Sequence, residues 1–256
     1  MERKLPESIR RYTEHREYKM DTIGRSGSEI FCFSDMVLKV EKEKNESRSE
    51  HEMLSWLQGR LPVPEMICSE KIGDRRYLLM TKARGKMLCD EQYLKNPRLL
   101  VHLLAEGLKT LWAVDISGCP AKRDLDHKLE QASLNVAEGL EFETETEPDP
   151  FGTEEFDSPE ELLLWLKEHR PKEETVFSHG DYCLPNIFAE NNKISSFLDL
   201  GRAGTADIWQ DIALCVRSLE YNIGKNKEFK KQLFEELGIV PDWDKIRYYI
   251  LLDELF

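Results

Sequence analysis

The hydrophobic pattern of this chain changes period near Gly85, and any fold must serve both halves. Before Gly85, short β-type runs occur at Tyr18 to Ile23, Ile30 to Phe33, Met36 to Val40 and Arg76 to Met80. Gly24-Arg25-Ser26-Gly27 and Ser34-Asp35 break them. One polar helical stretch, Ser47 to Leu57, lies among these strands and ends near Gly59 and Pro62. After Gly85 the spacing becomes helical. Leu100, Leu104, Leu108 and Leu111 recur at three- and four-residue intervals, one face of an amphipathic helix. Ser158-Pro159-Glu160-Glu161 opens a further helix through Leu166, with Ser158 as cap and Glu161 able to reach back. Ile208, Ile212, Val216 and Leu219 mark another stripe, and a last helix runs from Asp242 to the C-terminus with Ile246, Tyr249 and Ile250 inward. The expectation is an α+β, two-lobed fold: a β-rich N-terminal lobe over 1–82 and a mainly helical C-terminal lobe over 83–256, joined near Thr81 to Gly85.

Bulk properties exclude several functions. The net charge of -13 argues against nucleic acid as a partner, since phosphate contacts need clustered Lys and Arg, and it suits a cationic one. Acid is concentrated between Lys128 and Lys167, where no Lys, Arg or His interrupts Glu138, Glu141, Glu143, Glu145, Glu147, Asp149, Glu154, Glu155, Asp157, Glu160 and Glu161. Such a block repels itself and reads as a solvated loop or a cation-binding one. The N-terminus lacks the apolar core of a signal peptide, and no apolar run approaches the roughly 20 residues of a membrane span. The cysteines are scattered without C-x-x-C spacing, so neither a zinc site nor a disulfide framework is expected. These features together imply a cytoplasmic protein with no membrane partner.

The segment richest in chemistry is Ser178-His179-Gly180-Asp181-Tyr182-Cys183-Leu184-Pro185-Asn186, followed by Phe197-Leu198-Asp199-Leu200-Gly201. Phosphoryl transfer needs these residue types: an Asp to take or orient the proton of an attacking hydroxyl, and an amide oxygen with a second carboxylate to hold Mg²⁺. The apolar runs around Glu190-Asn191-Asn192-Lys193 read as a β-hairpin that returns Asp199 to Asn186. Upstream, Gly24-Arg25-Ser26-Gly27-Ser28 lies between strands, where backbone N–H groups can wrap phosphate, although an ordinary hairpin turn has the same composition. Lys39 is placed to reach the α- and β-phosphates, and Glu50 on the next helix to pair with it, with Glu46 and Glu52 as alternative partners on that helix.

The sequence resembles the aminoglycoside 3′-phosphotransferases, which have a protein-kinase-like fold. The resemblance is carried by Val176 through Asp181, Asp199 through Gly204, Ala206-Asp207, Gln210 through Ala213, and the ending Tyr248 through Phe256. Leu61 through Pro64, Leu78-Leu79-Met80 and Asp115-Ile116 with Cys119-Pro120 extend it along the chain. It implies a monomer that uses ATP or GTP with Mg²⁺ on a polycationic aminoglycoside. By the same resemblance Asp181 is the base, Asn186 and Asp199 hold the metal, and Lys39 with Glu50 and the loop at Ser26 and Gly27 hold the nucleotide phosphates. Backbone atoms of Thr81 and Ala83 bind the base of the nucleotide. Asp253, Glu254 and the Phe256 carboxylate take substrate ammonium groups, Arg202 organises neighbouring carboxylates, and Glu154, Glu155 and Asp157 belong to the substrate loop. Val37 stands where some members stack an aromatic ring on adenine, which leaves ATP and GTP both open. Other readings are a small-molecule kinase for choline or a hydroxylated metabolite, and a binding module that sequesters cations. A protein kinase is disfavoured, because no Ala-Pro-Glu follows Asp199.

Overall fold

The computed structural model describes residues 5–21, 28–140 and 155–256. Ser26, Gly27 and Glu154, named above, lie outside these residues. The N-terminal part contains α1 (Glu7–Thr13), β1 (Lys19–Asp21), β2 (Glu29–Cys32), β3 (Met36–Lys42), α2 (Asn45–Leu57), β4 (Met66–Ile72) and β5 (Arg75–Thr81). Among the described residues the strands form an antiparallel sheet in the order β1-β2-β3-β5-β4.

The two-residue period of the strands divides the sheet between two apolar cores. Leu38, Val40, Tyr77 and Leu79 pack with Phe31, Phe33 and Ile9 of α1 on one face. Leu78 and Met80 point to the other face, where Met53, Leu54 and Leu57 of α2 join the main core. Lys39 lies opposite Leu78 in the β3–β5 register, so alternation turns its side chain toward α2. On α2 the buried positions Ser47, Glu50, Leu54 and Leu57 follow helical spacing. Glu50 is therefore a carboxylate set within a buried stripe.

The helical part comprises α3 (Glu91–Leu94), α4 (Pro97–Trp112), α5 (Leu125–Ala137), α6 (Pro159–Glu168), α7 (Ile208–Ile223), α8 (Lys227–Leu237) and α9 (Trp243–Asp253). Side chains cap the major helices: Asn96 for α4, Ser158 for α6, Asp207 for α7 and Asp242 for α9. Each such cap contributes about 1 kcal/mol. Ahead of α6, Glu161 reaches back one residue beyond the cap and accepts from the Asp157 N–H at 2.8 Å rather than from that of Ser158. Among the described residues, no helix is long and apolar enough to cross a membrane.

Five short strands frame the site: β6 (Lys86–Met87), β7 (Thr175–Ser178), β8 (Ile187–Glu190), β9 (Lys193–Phe197) and β10 (Gly204–Asp207). β7 pairs with β10, while β6, β8 and β9 form a small antiparallel sheet. Asn191 and Asn192 turn the β8–β9 hairpin with φ of 51° and 58°. Two successive positive φ values match the right-handed twist of the flanking strands, and Asn tolerates them better than most residues. Hairpin closure pairs Ile187 with Phe197, and the Leu198 N–H donates to the Asn186 carbonyl at 2.9 Å. Asn186 and Asp199 therefore emerge from the same end of one hairpin.

Candidate active site

Lys39 occupies a pocket of carboxylates. Its ammonium nitrogen lies 2.8 Å from Glu50, 3.3 Å from Asp199 and 3.6 Å from Glu41. Burial alone would lower its pKa, but the carboxylates of Glu50, Asp199 and Glu41 outweigh that effect and raise it. Lys39 is thus a fixed cation. Of the acidic candidates on α2, Glu50 meets Lys39, while Glu46 turns to Arg202 at 3.0 Å and Glu52 is exposed.

The loop after β7 is built around Asp211, a buried carboxylate in the first turn of α7. It accepts the backbone N–H groups of His179 at 2.7 Å and Gly180 at 3.0 Å. Gln210 adds its amide to the Gly180 carbonyl at 3.2 Å. His179 is fully buried, and its Nδ1 accepts the Asp181 N–H at 3.3 Å. That bond makes it a brace for Asp181. Gly180 has φ of +83°, and a Cβ there would sit 2.2 Å from the Arg202 carbonyl oxygen. Only glycine permits this approach between the two site loops.

Asn186 donates its side-chain amide to the Asp181 carboxylate at 2.9 Å and to the Asp181 carbonyl at 3.1 Å. The amide nitrogen is thereby committed, leaving the amide oxygen to meet a cation. Asp199 adopts left-handed backbone angles, φ 56° and ψ 62°, at the start of the turn Leu200–Arg202. For a non-glycine residue this costs roughly 1–2 kcal/mol, and such strain concentrates at functional sites. The Asp199 side chain is 51% exposed, so one carboxylate edge remains open beside Lys39. An amide oxygen and a carboxylate are hard donors that fit Mg²⁺. Among the described residues, no group of three or more His, Cys, Asp or Glu side chains forms a competing metal site.

At the junction, Thr81 ends β5. Its N–H is used by the Glu65 carbonyl at 2.9 Å, and its hydroxyl accepts from Glu65 at 2.9 Å. The Lys82 N–H donates to Asp35 at 3.0 Å. Among the described residues the Ala83 N–H meets no acceptor, which leaves it available to a ligand.

The C-terminal acids are paired. Asp253 lies between Arg202, at 3.4 Å, and Arg217, while Glu254 meets Arg217 at 3.0 Å. Phe256 presents its ring to Lys128 at 5.2 Å and to Arg202 at 5.7 Å, and Asn135 secures the preceding Leu255 carbonyl at 2.7 Å. Burial lowers the Lys128 ammonium to about 8, an effect partly opposed by Asp253. Glu155 meets Arg247 of α9 at 2.6 Å, and Asp157 is exposed ahead of α6. Asp211, Arg217 and Arg123 were not singled out from the sequence for site roles; the signal for Asp211 was a carboxylate interrupting the apolar start of α7.

A sheet-borne Lys–Glu pair facing an Asp–Asn–Asp cluster, with a free backbone donor at the junction, defines a kinase-like phosphotransferase. The phosphotransferase enzyme family model matches residues 24–249. The chain is 43% identical over 212 residues to the aminoglycoside 3′-phosphotransferase of Enterococcus faecalis, covering 81% of this chain and 78% of the relative. It is 39% identical to that of Niallia circulans over 264 residues, 99% and 98% of the two chains. The crystal structure of an aminoglycoside 3′-phosphotransferase of type VIII superposes with a TM-score of 0.81 at 27% identity, covering 97% of each chain. The chain belongs to the aminoglycoside 3′-phosphotransferase family.

Proposed function

We propose that this protein transfers the γ-phosphoryl group of ATP to the 3′-hydroxyl of an aminoglycoside, and that loss of that hydroxyl confers resistance to the drug. The observation that carries the reading is the convergence of Lys39, Asp181, Asn186 and Asp199, supported by the hydrogen bonds joining Lys39 to Asp199 and Asn186 to Asp181.

In this reading Asp181 accepts the proton of the attacking hydroxyl, with its carboxylate oriented by Asn186 and its backbone braced by His179. Lys39, kept charged by Glu50, draws the nucleotide phosphates into line. Asn186 and Asp199 would hold Mg²⁺, which when bound neutralises charge developing on the phosphate oxygens. The Ala83 N–H and the Thr81 carbonyl would receive the nucleotide base, and the loop at Ser26 and Gly27 would cover the phosphates. No phosphoenzyme is needed, and burial pushes the thiol of Cys183, in the same segment as Asp181, upward.

An acidic chain suits a polycationic drug, because its field concentrates cations at the cleft. Asp253, Glu254 and Phe256 would take ammonium groups, with Arg202 and Arg217 fixing the two acidic side chains in place. Glu154, Glu155 and Asp157 would line the substrate side from the acidic segment. The protein would act as a cytoplasmic monomer. The test is a nucleotide-coupled assay with kanamycin, choline and a simple sugar, followed by NMR location of the new phosphate. Turnover confined to kanamycin and a phosphate on the 3′ oxygen are expected; preference for choline or the sugar would contradict the proposal.

A further inference from the structure

Arg123 lies between α4 and α5, outside the residues given roles above, and contacts both parts of the molecule. Its backbone N–H donates to Thr205 of β10 at 2.8 Å, and Thr205 donates back to Ala121 at 2.9 Å, so the residue starts from a fixed position. Its side chain passes Gly204, where an added Cβ would come within 2.7 Å of the Arg123 Cγ. The guanidinium then donates to the Ser49 hydroxyl at 2.7 Å and to the Gly201 carbonyl at 3.3 Å, and lies 2.8 Å from His127 Nε2. Burial first, and Arg123 second, lower the pKa of His127, which favours the neutral ring that accepts this bond.

Ser49 precedes Glu50 on α2, and Gly201 follows Asp199 by two residues. One rigid, planar group therefore touches both the helix that carries the Lys39 partner and the turn that carries the candidate metal ligand. We infer that Arg123 is a positioning residue for nucleotide, setting the separation of α2 from the Asp199 turn. Gly201 approaches the same helix closely: a Cβ there would lie 3.0 Å from the Glu46 carbonyl oxygen. Nη2 serves both Ser49 and Gly201 while Nη1 reaches His127, and a single ammonium cannot address these three partners in the same geometry. Its Nε is buried without an acceptor among the described residues, a cost tolerated where the remaining bonds fix a needed position.

This inference rests on the phosphotransfer reading, and steady-state kinetics with ATP and kanamycin separates the two. Arg123→Gln is expected to raise the ATP KM about tenfold and lower kcat, with the kanamycin KM changed less than about twofold, because misplaced phosphate contacts act on the nucleotide alone. Ser49→Ala should shift the ATP KM in the same direction by a smaller factor. Combining it with Arg123→Gln should add nothing, as expected for two partners in one bond. Arg123→Lys should restore less than half of the loss. An unchanged ATP KM in Arg123→Gln, a fall in kcat with both KM values intact, full rescue by Lys, or additive effects of the pair would each overturn the inference. Should Arg123→Gln not fold, an unchanged ATP KM in Ser49→Ala overturns it. Inactive wild-type protein would contradict the phosphotransfer reading itself and remove the basis of the inference with it.

Discussion

Lys39 brings its ammonium nitrogen to 3.3 Å from the Asp199 carboxylate, across 160 residues of sequence. Strand alternation supplies one half of that contact, by turning Lys39 away from the Leu38 face of β3. The left-handed backbone of Asp199 supplies the other, by turning its side chain out of the hairpin.

Removing Lys39 leaves Glu50, which is only 3% exposed, without its cation. Lys39→Ala is expected to destabilise the protein by about 3–5 kcal/mol, because an uncompensated charge stays buried. Adding Glu50→Gln should recover part of that loss. Urea unfolding of the single and double variants checks this; a double variant less stable than Lys39→Ala would count against the pairing.

Asp211→Ala removes the acceptor of two buried N–H groups, those of His179 and Gly180. Gly180 keeps the Ser178 hydroxyl at 3.1 Å, but the stranded His179 donor costs about 1–3 kcal/mol, and the loop that presents Asp181 loses its anchor. A lower unfolding midpoint together with a lower kcat is expected. Retention of full turnover would show that the loop is held by other contacts.

Gly180→Ala combines a positive φ with a 2.2 Å collision against the Arg202 backbone. The loops must separate to admit the methyl group, at a cost of about 1–3 kcal/mol or more. Kinetics should show reduced kcat, and Gly73→Ala, where the same φ class meets open space, should leave turnover close to wild type.

Acid should weaken the tie between Arg76 and Glu43. Arg76 donates to both Glu43 oxygens, at 2.8 and 3.1 Å, and these hydrogen bonds hold the Glu43 carboxyl down to about 2 from its ordinary 4.5. The folded state therefore binds this proton less readily than the unfolded one. Its contribution is complete above the unfolded value and is lost as pH falls through the window from 4.5 to about 2. After solvent screening it amounts to about 1 kcal/mol. Urea midpoints of wild type and Glu43→Gln should differ near neutral pH and converge at the acid end of that window; a constant gap would contradict the linkage.

What could be read from sequence was local. The hairpin from Ile187 to Phe197 has its turn residues and both apolar runs within one short segment, so the proximity of Asn186 and Asp199 follows from pairing alone. The α+β division, the apolar stripes of α4, α7 and α9, and the caps at Ser158 and Asp242 are likewise written in adjacent residues. The choice among Glu46, Glu50 and Glu52 was not, because it depends on how α2 sits on β3. Nor could the acids at Asp253 and Glu254 be seen as paired, since Arg202 and Arg217 approach them from other elements. β4 carries no clear strand signal, because Met66–Ile72 mixes Cys, Ser, Glu and Lys, and its place in the sheet comes from pairing with β5.

The central claim is that Asp181 takes the substrate proton within a site that binds nucleotide independently. Asp181→Ala should bind ATP with an affinity within a few-fold of wild type by titration calorimetry, yet turn over kanamycin at least about a hundredfold more slowly. Turnover at the wild-type rate in that variant would contradict the account.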